Sequence, residues 1–200
     1  MAQTQALRIR DAVDSDREAI QAVVLGAYEQ YAEILPKERW EAYREAIRTS
    51  VYGDGPVARI VAEWDQEIVG SVLLFITSEK AYDRPELEIK GPIIRLLSVS
   101  PYARGKGIAT ALIKECVRRA QQMRAEFLHL HTSDMMAAAV RLYEHLGFER
   151  AEDKDMMNGH TLVKSFRINL HSTSLLESAN EPYFEPKNKN ASDLHNRFTL

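Results

Sequence analysis

The sequence predicts one α/β domain over residues 1–170 with a tail over 171–200, and three observations predict it. Runs of strand periodicity alternate with amphipathic helical stretches from Leu7 to Ile168. A strand, a glycine turn and a helix follow one another directly between Ile93 and Met123. The composition, 45% hydrophobic and 28% charged with 9 Gly and 7 Pro in 200 residues, excludes a collagen, a disulfide scaffold and a fully disordered chain. A chain of this length buries roughly 70% of the surface its unfolded form exposes, so its core needs neither metal nor disulfide.

The elements follow in order. Leu7 and Ile9 alternate with Arg8 and Arg10 as a strand, ended by the polar stretch Asp14, Ser15, Asp16 that caps a helix from Arg17 to Tyr31. Ile20, Val23, Val24, Ala27, Tyr28 and Tyr31 give that helix its apolar stripe. A second helix follows Pro36, with Trp40, Tyr43, Ala46 and Ile47 on one face, and ends at Gly53, Gly55 and Pro56. Val57 to Trp64 and Ile68 to Ile76 form a hairpin through Asp65, Gln66 and Glu67. Thr77 to Gly91 reads as a loop, and Ile93 to Val99 as an apolar strand. The next helix carries the stripe Ile108, Leu112, Cys116, Ala120 and Met123. Phe127 to Thr132 is a strand, and Asp134 to Leu146 a helix stopped by Gly147. Arg150 to Met157 and His160 to Ile168 form a second hairpin about Asn158 and Gly159. From His171 onward Ser, Asn and Pro replace periodicity, so the tail reads as conditionally ordered.

Charge and cysteine content narrow the setting. Lys and Arg total 26 against 29 Asp and Glu, a net charge of -3, which gives no bulk drive toward nucleic acid or anionic lipid. Cys116 has no intramolecular partner, the N-terminal segment lacks the apolar stretch of a signal peptide, and the longest strongly apolar run, Val72 to Ile76, is far short of a bilayer span. The expectation is a cytoplasmic protein engaging neither nucleic acid nor membrane.

Any anion site must be local, and the glycine turn supplies one. In Arg104-Gly105-Lys106-Gly107 the glycines let the backbone approach a ligand, the helix N-terminus adds the positive end of its dipole, and Arg104 and Lys106 add charge. A P-loop requires Ser or Thr after its Gly-Lys pair and an earlier Gly, where this chain has Gly107 and Ser100. A dinucleotide fingerprint would use Gly105 and Gly107, but Thr110 takes its third glycine position.

The order of these segments resembles the GNAT-type N-acetyltransferases. The turn Arg104-Gly-Lys-Gly107-Ile-Ala109 is similar to that family's Arg/Gln-x-x-Gly-x-Gly/Ala signature, and Leu142-Tyr143-Glu-His-Leu-Gly147-Phe148 to its Tyr-x-x-x-Gly-Phe region. The resemblance spans Leu7 to Ile168 and implies a mixed central sheet, flanked by helices, whose fourth and fifth strands splay to admit pantetheine. It implies acetyl-CoA as acyl donor, no metal, and direct attack of a neutral amine on the thioester. Backbone groups of Leu97 and Val99 would pair with pantetheine, and the amides of Arg104, Gly105, Lys106, Gly107, Ile108 and Ala109 would hold the pyrophosphate. The Leu97 N–H would face the developing oxyanion, and Tyr143 would protonate the leaving thiolate. A phenol near pKa ~10 serves a thiol near ~8.5 only if the site brings the two closer.

The chain departs from the family pattern at Ile93, where some relatives carry a catalytic Glu, which leaves Glu88, Glu63 or water as proton acceptor. Met136 stands near where many relatives place an Asn. The acceptor, a small molecule in preference to a protein, is expected among Tyr28, Tyr31, Glu33, Trp40 and Glu88, an aromatic and acidic wall suited to a cationic amine. The same aromatics at helical spacing also read as core. His129 and His131 share a strand face but lack a third ligand, so no metal site is expected. Asn190-Ala-Ser192 matches a glycosylation pattern without a secretion signal. Tyr183 and Phe184 in the tail could cover the acceptor opening or pair two copies as a homodimer. An acyl-CoA-binding sensor of the same fold is the alternative to an enzyme.

Overall fold

The computed structural model describes residues 7–177. The strands are β1 (Leu7–Asp11), β2 (Ala58–Trp64), β3 (Glu67–Phe75), β4 (Ile93–Val99), β5 (Phe127–Thr132), β6 (Glu149–Arg150), β7 (Met156–Asn158) and β8 (Thr161–Asn169). The helices are α1 (Arg17–Tyr28), α2 (Lys37–Tyr52), α3 (Ser78–Tyr82), α4 (Ile108–Gln122) and α5 (Ala137–His145). The sheet runs β1-β2-β3-β4-β5-β8-β6, with β7 paired to β8. Its neighbours are antiparallel except β4 and β5, which are parallel.

Apolar residues on the two sheet faces build two cores. On one face Ile20, Val24, Ile47 and Val51 of α1 and α2 cover Val61, Leu73, Phe75, Ile93 and Leu96. On the other, Ile108, Leu112, Ile113, Cys116 and Val117 of α4, with Tyr143 of α5, cover Ile60, Val72, Ile94, Leu128 and Leu130. Each fully buried aliphatic side chain contributes about 1.5–3 kcal/mol relative to exposure. The α4 stripe holds the residues expected of it, but two polar residues are buried with it. Glu115 Oε1 accepts from Arg119 Nε at 2.6 Å, and Arg119 Nη1 reaches Asp11 Oδ1 at 2.6 Å, which ties α4 to the first strand.

Several element boundaries differ from the sequence expectation for local reasons. The first helix is α-helical only to Tyr28 and tightens to a 3-10 turn over Glu29–Tyr31. The expected loop 77–91 contains α3, whose first turn is capped by Thr77 Oγ1 accepting from the Lys80 amide at 3.1 Å, and whose end is the left-handed Asp83. The first hairpin turns on two residues, Asp65 and Gln66, both at positive φ, with Trp64 paired to Glu67. The expected strand 150–157 is broken after Arg150. The Asp155 carboxylate accepts from Arg150 at 2.7 and 2.8 Å and from the Ser165 amide at 2.7 Å, replacing ladder bonds with a side-chain clamp. Beyond residue 170 the chain still packs on the domain, through Leu175 and Leu176. The expectations for Tyr183, Phe184 and Asn190 lie outside the described residues. Among the described residues no helix is long and apolar enough to cross a membrane.

Candidate active site

The β4 strand carries an irregularity that reorganises everything around it. Ser71 pairs with Ser98 and Leu73 with Arg95, so Leu96 and Leu97 together oppose Val72 in a bulge. Leu96 sits at φ 50°, a conformation leucine rarely adopts, and the extra residue interrupts the alternation of side chains. Ile94 and Leu97 face the α4 core, while Ile93 and Leu96 face the α1 and α2 core. Beside the bulge the sheet opens. β4 and β5 pair only at Ile93 with His129 and Ile94 with Leu130, and no ladder partner follows. The β4 edge from Arg95 to Val99 is therefore available to an extended ligand bearing amide groups, the property that a pantetheine arm requires.

The glycine turn lies directly after that edge. Gly105 and Gly107 have φ 75° and 76°, and a Cβ at either would meet nothing within 4 Å, so they serve backbone conformation rather than packing. Gly107 is the N-cap of the 15-residue helix α4 and supplies no side-chain cap, which leaves the first-turn N–H groups, including those of Ile108 and Ala109, open to an anion. Arg104 Nη2 donates to the Ala27 carbonyl at 3.2 Å, and Lys106 Nζ lies 4.5 Å from the Trp64 ring centroid. The residues present fit a pyrophosphate.

On the α1 and α2 side of the opening lies a cavity of about 860 Å³. Tyr28, Tyr31, Tyr43 and Tyr82 line it together with Arg95, Leu96, His131 and Met136. The Tyr28 and Tyr43 rings are 5.5 Å apart, and burial raises the pKa of both phenols above the ordinary value. Tyr82 and His131 form a pair. His131 Nε2 lies 2.8 Å from the Lys154 carbonyl, which can only accept, so Nε2 carries the proton. Burial lowers the imidazole pKa and keeps it neutral, and Nδ1 accepts from the Tyr82 hydroxyl at 3.1 Å.

Tyr143 is 7% exposed in the α4 core, its ring 5.8 Å from that of Phe148. Burial, then the neighbouring phenols of Tyr28 and Tyr82, push its pKa well above the usual tyrosine value, so the hydroxyl stays protonated at any physiological pH. The same burial acts on a thiol, as Cys116 shows, raised by desolvation to about 12.

Other expectations are corrected by placement. Glu88 is exposed at a left-handed turn and borders a separate depression of about 270 Å³ with Lys90, Glu126, His129 and Arg167, not the aromatic cavity. The wall it was expected to share is instead tyrosine with Arg95. Glu63 is bonded to Arg10 at 2.7 Å across β1 and β2 and does not line the cavity. Trp40 packs against Tyr43 at 6.2 Å between centroids and lies behind the wall. Sequence reasoning missed Tyr43, Tyr82 and Arg95 as site residues and treated His131 only as a weak metal ligand. Among the described residues no group of three potential ligands surrounds a metal position.

Comparison with known proteins agrees with this geometry. Residues 21–148 match the model of the acetyltransferase (GNAT) family. The chain is 30% identical over 110 residues to the uncharacterised N-acetyltransferase YjgM of Escherichia coli, covering 55% of this chain and 62% of that relative's length. The fold is similar to that of the PaiA N-acetyltransferase of Thermoplasma acidophilum, solved in complex with coenzyme A, at a TM-score of 0.61 and 16% identity over 80% of this chain and 98% of that one. It is also similar to YncA of Salmonella typhimurium, solved with acetyl-CoA, at a TM-score of 0.56 and 18% identity over 84% and 96% of the two chains. The family match spans the bulged strand, the glycine turn and the Tyr143 region, and the chain belongs to the acetyltransferase (GNAT) family.

Proposed function

We propose that the chain is an acetyl-CoA-dependent N-acetyltransferase that acts on a small amine by direct attack. The observation that carries this reading is the parting of β4 and β5 after Ile94 and Leu130, between an anion-binding helix terminus and an aromatic cavity. Acetyl-CoA, when bound, supplies the thioester on which the amine acts.

The chain's residues divide the remaining work. Backbone groups of Leu97 and Val99 hold the pantetheine, and the amides from Arg104 to Ala109 hold the pyrophosphate, with Arg104 and Lys106 adding charge. The Leu97 N–H, aimed by the bulge, stabilises negative charge on the carbonyl oxygen. Tyr143 donates its proton to the departing sulfur. The Tyr82 hydroxyl, which donates to the neutral His131 Nδ1, keeps its oxygen lone pairs free to accept a hydrogen bond from the incoming amine and orient it. With Ile93 unable to accept a proton, the amine enters in its neutral form and its proton leaves to water in the open cavity. A cavity of about 860 Å³ matches a small molecule better than a protein segment. The buried single thiol, Cys116, accords with a cytoplasmic location.

The test is release of free coenzyme A thiol over a panel of primary amines. Turnover of any amine, slowed about 100-fold in Tyr143→Phe with unchanged acetyl-CoA affinity, supports the assignment. Acetyl-CoA binding with no turnover on any amine would instead make the chain a sensor.

A further inference from the structure

The acceptor cavity contains a guanidinium that no carboxylate among the described residues neutralises. Arg95 extends from β4 onto the cavity wall, half-buried, with its guanidinium 4.9 Å from the Tyr82 ring centroid and 5.5 Å from that of Phe75. Its Nη1 donates to the Ala81 carbonyl and lies 3.4 Å from Ser50 Oγ. Among the described residues no carboxylate forms an ion pair with it. A guanidinium offers five N–H donors in a planar fork suited to a carboxylate, and among the described residues only Nη1 is hydrogen-bonded.

The carboxylates that do line the cavity, Glu45, Asp54, Glu79 and Asp83, are all exposed, and Glu45 is taken by Arg48 at 3.0 Å. Acidic groups thus stand at the rim with the exposed Lys80 and Arg84, while two half-buried guanidiniums line the cavity: Arg39, whose Nη2 donates to the Asn158 carbonyl and Thr161 Oγ1, and Arg95, which alone of the two stands beside the bulge. The bulge also fixes the cation's relation to the chemistry. It brings Leu96 to the same side of the sheet as Ile93, so Arg95 lies on the cavity one residue before Leu96 and two before the Leu97 amide. A half-buried charge without a counterion is costly, and an anion carried in by the acceptor removes that cost. Apolar surface for the remainder of such an acceptor is offered by Tyr28, Tyr31, Met135, Met136 and Met156 of the same lining.

Resting on the acetyltransferase reading, we infer that the acceptor is an apolar amine bearing a carboxylate, an amino-acid-type substrate whose carboxylate docks on Arg95. The amine then projects toward Leu97, and the apolar part lies along the tyrosine and methionine wall.

The experiment compares leucine, methionine and phenylalanine with their decarboxylated counterparts, 3-methylbutylamine, 3-(methylthio)propylamine and 2-phenylethylamine. Thiol release gives kcat/KM, and calorimetric titration of the coenzyme A-saturated protein gives affinity. The wild type is expected to prefer at least one amino acid over its counterpart by about 100-fold. That preference collapses to near unity in Arg95→Gln and is largely retained in Arg95→Lys, which keeps the charge. Loss of stability from freeing the Ala81 carbonyl would depress both members of a pair together and leave the ratio intact. Equal use or equal binding of every pair by the wild type overturns the inference, as does a preference that survives in Arg95→Gln. Binding of an amino acid in preference to its counterpart without turnover would uphold the Arg95 site while overturning the enzyme reading. Failure of every amine and amino acid to bind overturns the inference.

Discussion

Ile94 and Leu130 are the last residues at which β4 and β5 are paired, and the bulge at Leu96 follows two residues later. A parallel pair that stops after two rungs leaves a row of backbone donors and acceptors at the centre of the sheet. Such groups pair with water or with an extended ligand bearing amides of its own. The glycine turn after the same strand leaves the first-turn N–H groups of α4 without a side-chain cap.

Gly107→Asp is expected to abolish acetyl-CoA binding, by at least ~10-fold in affinity, because it sets a carboxylate against the pyrophosphate. The domain should survive the change. A Cβ at residue 107 meets nothing within 4 Å, and the left-handed conformation costs an aspartate about 1 kcal/mol. Calorimetry and thermal unfolding of the same preparation separate the two effects.

Gly70→Ala tests the seating of the helix behind that turn. A Cβ there would lie 3.0 Å from Ile108 Cγ2, 3.2 Å from Leu112 Cδ1 and 3.2 Å from the Ser98 carbonyl oxygen. Overpacking of this kind costs about 1–3 kcal/mol. Since Ile108 is the first residue of α4, the variant should also weaken coenzyme A binding, and a stability loss with unchanged affinity would show that α4 moves independently of its first turn.

Acid should destabilise the fold before its surface carboxylates titrate. Burial, then the charge of His131, holds His129 down to about 4, whereas an unfolded histidine titrates near ~6.5. A folded-state pKa below the unfolded one gives stability that is present above pH ~6.5 and is lost as pH falls toward the folded value. The loss is on the order of 3 kcal/mol for His129, with His131 adding in the same direction. Denaturant unfolding at stepped pH should show this slope, and His129→Gln should flatten it; an identical slope in the variant would remove His129 as its source.

Base acts with the opposite sign. Burial raises the phenols of Tyr28, Tyr43, Tyr82 and Tyr143 above their ordinary value, so stability is level below pH ~10 and falls as pH rises beyond it. Phenolate absorbance should lag for these side chains and appear together with unfolding. Early ionisation of all the tyrosines in the native protein would contradict their burial.

The parts of this site that were legible in the sequence are the local ones. Gly105 and Gly107 announce positive φ by residue type, and the α4 stripe reports which face of the helix is buried. Tyr143 enters only through the resemblance of Leu142 to Phe148 to the family's Tyr-x-x-x-Gly-Phe region. The cavity wall was not legible because Tyr43, Tyr82, Arg95 and His131 come from four separate elements, brought together by long-range packing. Leu96 gives no warning of its left-handed backbone, since the bulge arises from the registry of β3 against β4 and not from leucine itself. Reading 77–91 as a loop concealed α3, and with it Tyr82, while assigning Glu88 to the wrong depression. Helical spacing put Trp40 beside Tyr43 correctly, but it could not say which ring faces the cavity.

The most direct test of the central claim is calorimetric titration of the wild-type protein and Gly107→Asp with acetyl-CoA. The account predicts saturable one-to-one binding to the wild type and its loss in the folded variant. Absence of binding to the wild type, or equal binding to both, would contradict the assignment of the glycine turn and the parted strands as the acetyl-CoA site.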